Sequence, residues 1–449
     1  MKEKKSIGYG FRGWLLILWV ATAFLAYVVV GNYPLNILSD LYGGQQTLST
    51  IYTTASIVGI VIQLIGGSRI GKMKSVKRFG VIMGILSVVV LLGIMLIPGM
   101  IPGTMQTLWQ AFYAIGVVVT VMYGTFALSI LVGQWFPTKK GGVMGIATLA
   151  FPLGQGVIGA FAAACFPDGT PHIAEAFIPF LVIILIGLII GLAMVPDYPE
   201  QVGAFRDNNR NMTPEMAKAM MEEEIENKKT TVWKLNHTLT TRDFWFLTIP
   251  AGFMLMVAVG TMTQTNQILG QMGEGLNQFG GFGGVMLMVM LFGLIGSFVL
   301  GFLDQKFGTK QSMIIAAVIM VFAGIFGMLS SPEKPGLLVA ALVCLSLFMG
   351  ASSNYTVSLA AQYWRREDFS TVFAAVNPIA NIINAFGPML VAIIMINAGY
   401  NNVFTMSLIL GVISVVLLLL VRPSHIKEKD DKYRAAAGKP LDDALVGRK

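Results

Sequence analysis

Charged residues fall almost entirely outside twelve apolar runs, at residues 12–33, 47–68, 79–98, 106–133, 142–165, 175–195, 244–268, 281–303, 312–330, 336–362, 372–396 and 402–421. Crossing the hydrocarbon core of a bilayer takes about 20 predominantly apolar residues in a helix. Each run is close to that length or longer, so the chain reads as an all-α membrane protein with twelve transmembrane helices. Only 12% of its 449 residues are charged, against roughly 25% in soluble domains, and the mean hydropathy is +0.72. The first run follows a basic Met1–Lys5 but extends from Trp14 to Val30, longer than the apolar region of a signal peptide. It is read as an uncleaved first span. Cys165 and Cys344 both lie in apolar runs, which speaks against a disulfide framework or a cysteine zinc site.

Lys and Arg in the loops set the orientation, because they favour the cytoplasmic side. Loops after odd-numbered helices hold none except Lys334, whereas those after even-numbered helices hold Arg69, Lys72, Lys74, Lys77 and Arg78, then Lys139 and Lys140, then Lys306 and Lys310, then Arg365 and Arg366. The basic N-terminus and the tail after Arg422 share that side. Both termini are therefore expected in the cytoplasm, and the protein multi-pass in the cell membrane. The longest polar segment begins near Asp197 and contains a helix-start pattern, Thr213-Pro214-Glu215, which predicts a short amphipathic helix on the membrane surface. It divides the chain into a first six-helix bundle (1–196), a linker (197–243), a second bundle (244–422) and a tail (423–449). Six plus six spans suggest two pseudo-symmetric bundles.

Equivalent turns in the two halves support this. Residues 301–310 read GFLDQKFGTK and residues 67–78 read GSRIGKMKSVKR. The chain resembles the major facilitator superfamily, whose signature turn is approximately G-x-L-a-D-r-x-G-r-k. The second copy matches at Gly301, Leu303, Lys306, Gly308 and Lys310, with Asp304 one position early; the first keeps Gly67 and Lys72 but has Gly71 at the acidic position. Residues 134–156, QWFPTKKGGVMGIATLAFPLGQG, are similar to the entry of the fifth helix in the oxalate–formate antiporter and monocarboxylate porter group. That resemblance implies an organic anion as cargo. The piece Pro152–Gly156 is faintly similar to the proline–glycine motif of antiporters, although a close helix contact permitted by its glycines is the preferred explanation.

No Asp, Glu, Lys, Arg or His lies near the middle of any run, where each would cost on the order of 3 kcal/mol. Oxalate carriers of the resembled group place an Arg in the eighth helix and a Lys in the eleventh; runs 281–303 and 372–396 hold neither. A dianion clamped by two salt bridges is therefore not expected. Neutral polar residues remain. Asn377, Asn381 and Asn384 fall within about 60° of one another on a helical wheel, either as interhelical hydrogen-bond partners or as a stripe facing a cavity. Pro378 is expected to loosen the helix beside them. Gln264 lies in the polar outer half of the seventh helix, Asn354 and Tyr355 in the tenth, Gln110, Tyr113 and Thr120 in the fourth, Tyr27 and Asn32 in the first, and Gln155 in the fifth. As a set they fit a central cavity, which the resembled superfamily lines mainly with helices 1, 4, 7 and 10. Twenty-seven methionines provide core filling or an adaptable apolar wall.

These patterns predict a carrier of an organic anion, a small monocarboxylate or related acid, working by alternating access and exchange. A bulkier amphipathic acid such as a bile acid, with proton coupling, is an alternative, and a non-transporting sensor on the same scaffold is a remote one. The expected partners are the organic substrate, a counter-substrate or proton, and lipid; no nucleic acid, cofactor or metal is expected. No phosphate-binding loop or nucleophile–base set is apparent, so no enzymatic activity is expected.

Overall fold

The structure is a computed structural model that describes residues 8–70, 75–97, 103–136, 139–209, 213, 215–216, 219, 231–365, 368–439 and 441. Its spans are α1 (Phe11–Leu41), α2 (Gln45–Ile70), α3 (Val76–Leu96), α4 (Thr104–Trp135), the bent pair Gly142–Gly156 and Ile158–Cys165 forming α5, and α6 (Ile173–Met194). After the linker come α7 (Arg242–Met262), α8 (Gly281–Phe307), α9 (Thr309–Met328), α10 (Pro335–Tyr363), α11 (Phe369–Ala385 followed by Gly387–Ala398) and α12 (Tyr400–Leu420). Among the described residues eleven helices are long and apolar enough to cross a membrane, or twelve when the bent pair counts as one span. The all-helical membrane architecture matches the pattern of apolar runs.

The departures lie where polar groups interrupt a run. The loop expected over 32–46 is largely helical. After Tyr33, α1 widens into turns over Pro34–Leu38 and tightens at Ser39–Leu41, and the proline has no N–H to continue an ordinary ladder. The seventh helix, expected as one piece over 244–268, stops at Met262 and resumes at Thr265–Gly270. There the Thr263 hydroxyl donates to the Gly260 carbonyl at 2.8 Å and that of Thr265 to Met262 at 2.8 Å, a local alternative to the helical ladder. In α11 the break sits at Phe386, just before Pro388, and not beside Pro378, through which the helix continues.

Bends of this kind bring helices together. The two parts of α5 meet at 41°, beside a glycine-rich stretch that packs on α8. A methyl added at Gly156 would lie 2.5 Å from the Met290 side chain, and one at Gly159 only 2.8 Å from the Gly283 backbone. The Pro152–Gly156 piece thus serves as a close helix contact of small residues. Helix α2 packs on α11 in the corresponding way, so these two pairs wall the space between the first six and last six helices.

For brevity, the face bearing the Lys/Arg-rich loops is called the basic end and the other the neutral end. The α8–α9 turn is tighter than the sequence predicts. Both helices run to Gly308, whose φ of +96° is open to glycine and strained for other residues. The expected amphipathic helix of the linker falls largely outside the described residues, although Met216 N–H donates to the Thr213 hydroxyl at 3.3 Å as a helix start requires. Helix α13 (Pro423–Ala436) was not foreseen in the tail. It is fixed by Asp430, which accepts from Arg365 Nε at 2.7 Å and Trp233 Nε1 at 2.9 Å, and by Tyr433 stacked on His237.

Candidate functional site

A cavity of about 70 Å3 lies between the first and last six helices. Its polar walls are Tyr27 and Asn32 on α1, Thr125 and Ser129 on α4, Thr148 and Gln155 on α5, Ser353 and Thr356 on α10, and Asn377, Asn381 and Asn384 on α11. Met144, Met262, Met349, Phe24, Phe151 and Phe373 form much of its apolar wall. No lining side chain is charged, and among the described residues no His/Cys/Asp/Glu group is gathered around a metal position.

Six of the twelve cavity candidates named from sequence, Tyr27, Asn32, Gln155, Asn377, Asn381 and Asn384, line this space. The asparagine stripe is internally linked, because Asn381 Nδ2 donates to the Asn377 carbonyl at 2.8 Å and to its Oδ1 at 3.0 Å. Asn32, Gln155 and Asn384 are buried, and their side-chain oxygens have no protein partner. An unpaired buried polar group costs about 1–3 kcal/mol, so these atoms are a standing demand for a ligand or water. Tyr27 donates to or accepts from Tyr52 at 2.7 Å, which aligns its ring beside them.

The other six candidates lie elsewhere. Gln110 donates to the Tyr42 carbonyl at 2.9 Å, Tyr113 to the Gly31 carbonyl at 2.9 Å, and Thr120 to Gly116 at 2.8 Å. These three fasten α4 to its neighbours and its own backbone, and do not reach the cavity. Helix α4 instead contributes Thr125 and Ser129, because it widens over Val121–Ala127; a uniform helical wheel cannot anticipate such a bulge. Tyr355 pairs with the Ser312 hydroxyl at 2.9 Å and packs within the last six helices.

Gln264 and Asn354 belong to seals that cross between the first and last six helices. At the neutral end Gln264 donates to Ser49 at 3.0 Å, Thr53 to the Ala385 carbonyl at 2.8 Å, and Asn36 to the Met262 carbonyl at 2.8 Å. Asn266 and Gln267 add bonds to the Asn36 carbonyl at 3.2 Å and 3.3 Å. At the basic end Asn354 donates to Thr148 at 3.2 Å, and the Lys140 ammonium rests over the rings of Phe369 and Phe373. Asn36 and Lys140 were not singled out in sequence: one reads as loop polarity, the other as a topogenic charge.

The signature turns have a clear geometry in the second half. Asp304 accepts from Thr309 at 2.6 Å and Ser358 at 2.7 Å, and Lys310 donates to the Val421 carbonyl at 2.9 Å. One acid thus ties α8, α9 and α10 together although it stands one residue early. Lys306 lies against Phe302 and Phe307, Gly308 makes the turn, and a Cβ at Gly301 would meet open space. Gly67 lies in α2, and Lys72 falls outside the described residues. In the first half the acid comes from after α6: Asp197 accepts from the Ser75 hydroxyl at 2.6 Å and the Lys77 N–H at 2.8 Å.

Comparison with known proteins agrees with this layout. The sequence profile described as Major Facilitator Superfamily matches residues 15–294 and 268–446. The solved structure of the proton:xylose symporter XylE bound to 6-bromo-6-deoxy-D-glucose superposes with a TM-score of 0.61 at 15% identity, covering 91% of this chain and 94% of that one. At that identity the likeness concerns the fold. No curated protein matches in sequence. With eleven or twelve candidate spans among the described residues around a central cavity, and a family match across nearly its whole length, the chain belongs to the Major Facilitator Superfamily and is a membrane-embedded, multi-pass transporter.

Proposed function

We propose that this transporter carries a carboxylic acid with a single ionisable group, by alternating access. Residues 1–196 and 244–422 act as the two moving bodies, 197–243 as their linker and 423–449 as a tail on the basic face, which the Lys/Arg distribution assigns to the cytoplasm of a cell membrane. The observation that carries the reading is the lining itself, with amide oxygens that lack a protein partner on both sides of the cavity and no charged side chain. A monoacid can be held by Asn, Gln, Tyr and Thr hydrogen bonds, whereas a dianion would need desolvated counter-charges. The resemblance of residues 134–156 to monocarboxylate and oxalate–formate carriers supports the same class.

With no carboxylate in the cavity to cycle a proton, exchange against a counter-substrate is the favoured mode, and any proton taken up travels on the cargo. A second reading, a bulkier amphipathic acid, is favoured by the six Met and Phe side chains of the wall, since methionine adapts to varied shapes. The test is a thermal-shift panel of short monocarboxylates, dicarboxylates, aromatic acids, sterol acids and neutral sugars on purified protein, followed by counterflow in proteoliposomes. The reading expects stabilisation by monoacids and faster uptake when the same acid is preloaded on the far side. Stabilisation by sugars or dicarboxylates alone would overturn it.

A further inference from the structure

We infer that a monovalent alkali cation binds in a small annex of the cavity and crosses with the acid as its counter-charge. This deepens the proposed function and rests on its reading of the cargo as an acid. The annex has a volume of about 10 Å3, close to what one water-sized particle occupies. Its polar lining is Tyr27 on α1, Ser56 on α2, Thr125 on α4, and Asn381 and Asn384 on α11. All of these except Ser56 also line the main cavity, so an ion in the annex and a cargo in the cavity are neighbours. Both moving bodies contribute to the site.

The hydrogen bonds around the annex use up donors and leave oxygens. Thr125 gives its hydroxyl proton to the Val121 carbonyl at 2.7 Å and accepts from Gln63 Nε2 at 3.4 Å, which leaves it a second lone pair. Asn381 commits its Nδ2 to the Asn377 carbonyl at 2.8 Å and to its Oδ1 at 3.0 Å, so Oδ1 is the end left over. Tyr27 is paired with the Tyr52 hydroxyl at 2.7 Å, and when it donates there its own lone pairs remain available. The buried Ser56 Oγ and Asn384 Oδ1 have no protein partner.

The result is a set of neutral oxygens, the ligand type that replaces the hydration shell of an alkali ion. Interrupted helices supply such sites in transporters, and two interruptions adjoin this one. Helix α4 widens over Val121–Ala127 and the first part of α11 ends at Ala385; Val121 and Ala385 both line the annex. A helix C-terminus favours positive charge. An ion alone among uncharged side chains is costly to desolvate, and so is a carboxylate in the cavity beside it. Bound together they offset each other, because their attraction is strong where water is excluded. Each therefore raises the affinity of the other by the same factor. Exchange is retained, since cation and acid cross together in either direction.

The test melts the purified full chain in NaCl, KCl and choline chloride at equal ionic strength, with and without whichever monoacid the panel identifies. Saturable stabilisation by Na+ or K+ over choline is expected, half-maximal at a concentration at least tenfold lower once the acid is present. Ser56→Ala and Thr125→Val each remove one oxygen and are expected to raise that half-maximal concentration at least tenfold; their melting temperatures in choline check that they are folded. Equal melting in all three salts, with acid counterflow in proteoliposomes indifferent to the salt, would overturn the site and leave an ordered water in the annex. A cation response that both variants keep would overturn it too, by placing the ion elsewhere. If the cation stabilises the protein and no acid is carried, the reading of the cargo fails and only the ion site stands; if an acid is carried without any cation effect, only the ion site fails.

Discussion

Asn36 donates its side-chain N–H to the main-chain oxygen of Met262 at 2.8 Å, joining the end of α1 to the end of α7 across the divide between the two bodies. Its own Oδ1 accepts from the Asn266 N–H at 3.2 Å. One amide therefore satisfies the backbone of a helix that has just broken, and the break is where the bodies meet. The neutral end is shut largely by side-chain donors on main-chain carbonyls, with Gln264 on the Ser49 hydroxyl beside them.

Replacing Asn36 by Ala is expected to weaken that seal. It removes two crossing hydrogen bonds of about 1 kcal/mol each, a shift of roughly tenfold or more towards opening at the neutral end. A cysteine placed at Ser49 in a background lacking Cys165 and Cys344 should then react with a water-soluble maleimide about tenfold faster. Equal labelling rates with and without Asn36 would show that the seal is carried elsewhere.

Asn381→Leu should reduce counterflow by at least tenfold while membrane insertion is preserved, because leucine is favourable at that depth. The substitution removes the donor that organises Asn377 and places an apolar group in the polar strip. Normal kinetics in this variant would make the asparagines bundle contacts rather than cargo ligands.

The contact of α5 with α8 gives a steric prediction. Gly159→Val drives a side chain into the Gly283 backbone, whereas a Cβ at Gly283 itself meets nothing within 4 Å. Overpacking of this kind costs about 1–3 kcal/mol, so Gly159→Val should lower the melting temperature by several degrees and Gly283→Ala should leave it nearly unchanged. Comparable behaviour of the two would mean that the helices are not this close.

Docking of the tail helix is tested at Arg365. This guanidinium and Asp430 form a buried pair at 2.7 Å, and removing one partner leaves an uncompensated charge. Arg365→Leu is expected to destabilise by about 3 kcal/mol, with α13 becoming a target for limited proteolysis. Asp430→Asn, which keeps an acceptor for Trp233, should cost less. Protection of the tail in Arg365→Leu would show that other contacts hold it.

Hydropathy and loop charge determined the lipid environment, the number of helices and the 6+6 division, because apolar length and Lys/Arg placement act locally and leave a direct trace in composition. They also determined that no formal charge occupies the middle of a span. The tertiary structure decided which polar residues face the cavity. A widened turn in α4 replaced Gln110, Tyr113 and Thr120 with Thr125 and Ser129, and a break in α7 turned its polar end into a seal. Both depend on where neighbouring carbonyls and side chains compete for hydrogen bonds, which helical periodicity does not encode. The place of Lys140 was likewise hidden, since a basic residue in a short loop has the same appearance whether it anchors a helix to the membrane surface or lies against two rings of the opposite body.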